Sequence, residues 1–169
     1  MESKVFLFGL NNAGKKSLTD LIKKTVPSES DSSLTERINK MILRDIQFIS
    51  WDLSEIDDFK EVWKQNSEEI KALIFVLDVS ESNIFFKAKK KFYDVIHELD
   101  TNTSPLIFCF HKMDLPTAES NYVKARDLFE LQTITKRKVY RLQTSINNPK
   151  EIAFLRNQLV EIIESSRWG

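Results

Sequence analysis

Two unbroken apolar runs limit what this chain can fold into more than any other feature. Ala72-Leu-Ile-Phe-Val-Leu77, closed by Asp78, and Leu106-Ile-Phe-Cys-Phe110, entered through Pro105, have no polar residue in alternation. A strand with one wet face alternates polar and apolar residues. An unbroken run belongs to a strand covered on both faces, as in a parallel sheet with helices on each side. Between the runs, Ile84–Leu99 sets Phe85, Phe92, Val95, Ile96 and Leu99 on a helical stripe. Asn121–Leu131 and Lys150–Glu164 are amphipathic helices, and Ser17–Val26 is a helix with Leu18, Leu21 and Ile22 on one face. Lys4–Phe8 and Lys138–Leu142 read as strands, and Ile38–Leu43 with Ile46–Trp51 as a hairpin turning at Arg44-Asp45. The expected fold is α/β, a six-stranded, mostly parallel sheet with helices on both faces. With no internal repeat or parting linker, residues 1–169 read as one domain.

Composition excludes several classes. Twenty-five basic residues balance 25 acidic ones, so net charge points to neither nucleic acid nor an anionic membrane. The single cysteine, Cys109, lies inside an apolar run and reads as a buried core thiol. No stretch reaches the ~18 apolar residues of a membrane span, and no secretory or lipidation signal is present. The expected location is cytoplasmic.

In such sheets, ligands bind beyond the carboxyl ends of the strands. After the first strand, Gly9, Gly14 and Lys15 match G-x-x-x-x-G-K. Glycines let the backbone curl so that N–H groups face a phosphate, and the following helix adds its positive end. Asn12-Ala13-Gly14-Lys15-Lys16-Ser17 is therefore the candidate phosphate cradle, with Lys15 placed for the β- and γ-phosphate oxygens. The next position normally supplies a metal-ligating hydroxyl, but here it is Lys16, with Ser17 one place later. An ammonium only donates and cannot ligate a metal. Either Lys16 offsets phosphate charge where the metal would sit, or it turns to solvent and the site loses its metal.

From Gly9 onwards the chain resembles small GTPases of the Arf and Rag branches of the Ras superfamily. Gly9-Leu-Asn-Asn-Ala-Gly-Lys15 is similar to the Arf phosphate loop, and Trp51-Asp-Leu-Ser-Glu-Ile56 stands where Arf proteins carry W-D-x-G-G-Q. His111-Lys-Met-Asp114 replaces N-K-x-D, and Thr144-Ser-Ile146 resembles the Rag guanine loop. The resemblance implies a P-loop NTPase G domain that binds GDP or GTP, with protein partners meeting the switch and interswitch region. In that reading Asp114 accepts two hydrogens from the guanine edge, and the stem of Lys112 covers the base. His111 ties the loop together, and Ser145 and Ile146 bring a backbone N–H to the guanine carbonyl. The amphipathic N-terminal helix of Arf proteins and the pairing domain of Rag proteins have no counterpart in the sequence, so no stable membrane anchor is expected.

The sequence departs from the pattern around the γ-phosphate. Besides Lys16, Glu55 replaces the D-x-x-G glycine and Ile56 the glutamine that orients water. By ungapped count the switch threonine falls on Ser33, with Thr35 nearby, in a Ser-rich stretch that reads as a disordered loop. These changes put Mg²⁺ in doubt. Asp52, which reaches the metal through water in the family, is expected instead to pair with Lys16. Two functions follow. One is a guanine-nucleotide-binding switch or adaptor with weak or no intrinsic GTP hydrolysis; the other is a pseudo-GTPase scaffold that binds no nucleotide.

Overall fold

The computed structural model of the chain describes residues 3–24, 43–54, 59–99 and 102–168. Five strands form one sheet: β1 (Ser3–Gly9), β2 (Ile46–Asp52), β3 (Ile70–Asp78), β4 (Leu106–His111) and β5 (Val139–Thr144). Their spatial order is β2-β1-β3-β4-β5. All four pairings are parallel, with Gly9 opposite Asp52 and Asp78 opposite His111. Helices α1 (Lys15–Lys24), α2 (Phe59–Asn66), α3 (Phe85–Glu98), α4 (Ala118–Phe129) and α5 (Pro149–Trp168) connect or follow them.

The expected sixth strand is corrected at its one described residue. Leu43 lies with Arg44 in a helical turn, where its side chain is buried against the core of α1 and α5. The rest of 38–43 falls outside the described residues, so the sheet is described with five strands. Helix α2 was not expected from the sequence.

The period of two along each strand splits the core into halves of different character. Phe6, Phe8, Phe75, Phe108 and Phe110 face α2, α3 and α4, where they meet Trp63, Phe92 and Phe129. Ring centroids lie 4.8 Å apart for Phe75–Phe92, 4.9 Å for Phe75–Phe108 and 5.0 Å for Phe108–Phe129. Such pairs add about 0.5–1.5 kcal/mol each beyond area burial. The opposite face is aliphatic: Val5, Leu7, Ile74, Val76 and Ile107 pack on Leu18 and Ile22 of α1 and on Ile152, Leu155, Leu159 and Ile163 of α5. Cys109 is fully buried there, and burial pushes its thiol far above the ordinary range, so it is inert packing as expected.

Both unbroken runs are buried strands. Their C-terminal ends, with that of β1, form the edge from which the candidate site is built.

Candidate functional site

The loop after β1 curls over the edge of the sheet through two backbone positions that demand glycine. A Cβ on Gly9 would lie 2.5 Å from the carbonyl oxygen of Val76, because β1 and β3 close together there. Gly14 has φ +100°, and a Cβ on it would stand 2.6 Å from Cδ2 of His111. Asn12, at φ 60°, takes the left-handed conformation that asparagine tolerates better than most residues. Helix α1 then begins at Lys15, leaving its first N–H groups open to the loop's concave side.

Lys15 crosses the loop from inside. Its Nζ donates to the carbonyls of Gly9 (3.1 Å) and Leu10 (2.7 Å). Burial lowers its pKa, and the carboxylate of Asp52 opposes that shift by favouring the cation. Lys16 is exposed, yet it lines the same hollow as Asn12, Gly14, Lys15, Ser17, Ser50 and Asp52, a polar cavity of about 460 Å³. The expected Lys16–Asp52 ion pair is not among the ion pairs of the described residues. Asp52 instead accepts the Ser54 N–H at 2.8 Å and acts electrostatically on Lys15. The reason is directional: one residue along a helix turns the side chain by about 100°, so Lys15 faces the strand edge and Lys16 turns outward.

From the other side, β4 and β5 bring the remaining candidates. His111 is buried, its Nδ1 lying 2.8 Å from the Thr144 hydroxyl and its ring against Gly14. Burial and the neighbouring Lys112 ammonium lower its pKa to about 4, against the opposing pull of Asp78 and Asp114, so the ring is neutral near pH 7. Lys112, at φ 64°, reaches back across the edge. Its Nζ donates to the Asn12 carbonyl at 2.8 Å and pairs with Asp78 Oδ2 at 2.8 Å. This one ammonium joins the loops after β1, β3 and β4.

Asp114 is exposed beside that latch, with Oδ2 accepting from Asn147 Nδ2 at 2.8 Å. A carboxylate has about four lone-pair sites, so this contact leaves acceptor capacity. Ser145 is buried, and its backbone N–H bonds to Glu151, whose carboxyl pKa is raised chiefly by burial. Ile146 is half exposed next to it. Asp114, Ser145 and Ile146 do not line the 460 Å³ hollow, to which this side of the sheet edge contributes Lys112.

A sequence model of the Arf family, described as the ADP-ribosylation factor family, matches residues 1–163. The chain belongs to the ADP-ribosylation factor family. It is 28% identical over 167 residues to ADP-ribosylation factor-like protein 8b of Arabidopsis thaliana, covering 98% of this chain and 90% of the relative. Identity to small COPII coat GTPase SAR1B of Dictyostelium discoideum is 24% over 169 residues, 99% of this chain and 81% of that protein. ADP-ribosylation factor-like protein 8d of Arabidopsis thaliana matches at 26% over 161 residues, 94% and 90% of the two chains. Arf-family membership makes this a small GTPase, a class that binds guanine nucleotide as a switch and engages protein effectors. No helix among the described residues is long and apolar enough to cross a membrane.

Against the Arf pattern, the described residues do not make up a family-type Mg²⁺ site. Among the described residues Asp52 is the only carboxylate lining the hollow, and an ammonium stands where the hydroxyl ligand belongs. No group of three or more His, Cys, Asp or Glu able to hold a metal occurs among the described residues. Sequence reasoning missed Ser50, Asp78, Asn147 and Glu151, each brought in by strand or loop contacts between distant segments. Ser54 was missed too: its hydroxyl accepts the Asn11 N–H at 3.0 Å, tying the start of the second switch to the phosphate loop. Glu55 and Ile56, and Ser33 and Thr35, lie outside the described residues.

Proposed function

We propose that this Arf-family protein holds a guanine nucleotide, GDP in preference to GTP, without depending on Mg²⁺, and that it hydrolyses GTP weakly or not at all on its own. The observation that carries the reading is the Lys112 bridge. It ties the loop that carries Asp114 to the Asn12 carbonyl of the phosphate loop, and Lys112 itself lines the hollow together with Asn12–Ser17, which supports reading the two loops as parts of one nucleotide site. Within it, the N–H groups of the loop, Lys15 and Ser17 receive the α- and β-phosphates, and Asp114 with the Ile146 N–H selects guanine. Residues 1–169 act as one such domain, as a switch or adaptor in the cytoplasm.

Preference for GDP follows from where the changes lie. In the sequence Glu55 takes the place of the glycine whose N–H meets the γ-phosphate in the family, and Ile56, in the glutamine's place, can neither donate nor accept. Phosphoryl transfer depends on positioning and charge stabilisation, each such contact being worth about 3 kcal/mol. Losing two of them along with the metal hydroxyl takes hydrolysis to the buffer background.

The test is to denature the purified protein, identify the nucleotide it releases, and follow single-turnover GTP cleavage. Released GDP with cleavage no faster than buffer supports the reading. Turnover like that of an ordinary small GTPase contradicts the hydrolysis part, and protein that neither carries nor takes up nucleotide supports the scaffold alternative.

A further inference from the structure

Helix α3 begins with two phenylalanines that part company: Phe85 is buried in the aromatic core, whereas Phe86 is 76% exposed, the most exposed of the large apolar side chains described. A single exposed ring is ordinary. This one is set among lysines. Lys87, Lys90 and Lys91 share its side of the helix, within an arc of about 140° and about 8 Å of axis. None of the three is in an ion pair among the described residues, whereas Lys89 is turned away and pairs with Glu130 at 3.0 Å. The helix that presents them is rigidly seated. Ala88 and Phe92 are fully buried beneath it, and Lys60 pairs with Glu98 at its far end.

We propose that the first two turns of α3 are a docking surface for an acidic protein partner with an apolar socket that receives Phe86. Charge complementarity decides between a protein and a bilayer. The basic stretch is short and bounded, with Glu81 before it and exposed Asp94 beyond it on the same side. A flat anionic membrane would meet those carboxylates with the lysines and lose much of the attraction that each lysine contributes. A shaped acidic surface engages the lysines and ends before Asp94. A ring that fills a desolvated socket inside a ring of charges is the arrangement that concentrates binding energy in one side chain.

The test places a photo-crosslinking phenylalanine analogue at position 86 of the full chain in its native cells. The adduct is identified, and that protein is purified and titrated against wild type, F86A and K87E/K90E. Both variants change exposed side chains, so unaltered melting and nucleotide content verify their fold. A partner with an acidic contact surface, bound roughly tenfold or more weakly by each variant and weakened as salt rises from about 0.05 to about 0.3 M, supports the proposal. Three results overturn it: no adduct; an adduct only with a second copy of this chain; or variant-sensitive sedimentation with phosphatidylserine vesicles in place of a protein adduct.

Discussion

His111 lies between the phosphate loop at Gly14 and the Thr144 hydroxyl of β5, and its chemistry gives a pH dependence. Its folded value of about 4 lies below the ordinary 6.5, so protonation favours the unfolded chain. Stability from this group is fully present above about 6.5 and is lost as pH falls toward about 4, by about 3 kcal/mol in all. Urea midpoints measured from about pH 7 to 4 should show this slope in the wild type and a flatter profile in H111N, which has no titrating ring. Gly14→Ala tests the same contact from the loop side. A Cβ at φ +100° is strained, and here it also meets the imidazole, so about 1–3 kcal/mol of stability should disappear together with nucleotide uptake. Lys112→Met removes the bridge but leaves Asp78 bonded to the N–H and hydroxyl of Ser80. Because Lys112 is partly exposed, the expected stability cost is modest, about 1–2 kcal/mol, while guanine-nucleotide affinity falls tenfold or more.

Among the elements, the opposite edge of the sheet is closed by a single buried guanidinium. Arg137, just before β5, donates to the carbonyls of Leu99 (2.8 Å), Asn102 (2.7 Å) and Ser104 (3.1 Å), pinning the turn from α3 into β4. Arg137→Ala should lower unfolding free energy by about 2–4 kcal/mol in a denaturant melt, because three carbonyls lose a charged donor. Nucleotide binding, at the other edge, should persist under native conditions. Elements with strong patterns were legible in sequence to within a few residues: β3 and β4 from unbroken apolar runs, α3 from its stripe. Helix α2 was not, since its eight residues carry too short a pattern to stand out. The hairpin reading failed at Leu43, which reaches the core from a helical turn rather than a strand, while residues 38–42 lie outside the described residues.

At the scale of the whole molecule, the phosphate loop could be read from spacing because glycine and lysine are demanded at fixed intervals along one segment. What spacing could not reveal is why Gly9 must be glycine, since Val76 comes from another strand. Nor could it reveal that Asn147 would reach Asp114, Glu151 the Ser145 N–H, or Ser50 the hollow beside Asp52. The Lys16–Asp52 pair failed for a geometric reason that helix rotation explains after the fact. The Lys112 bridge between the phosphate loop and the loop carrying Asp114 is the contact on which the nucleotide reading rests. Labelled GDP titrated into nucleotide-stripped protein, once with Mg²⁺ and once with chelator, tests it most directly. The account predicts saturable one-to-one binding of similar strength in both conditions; absence of saturable binding, or a tenfold or greater loss in chelator, would contradict it.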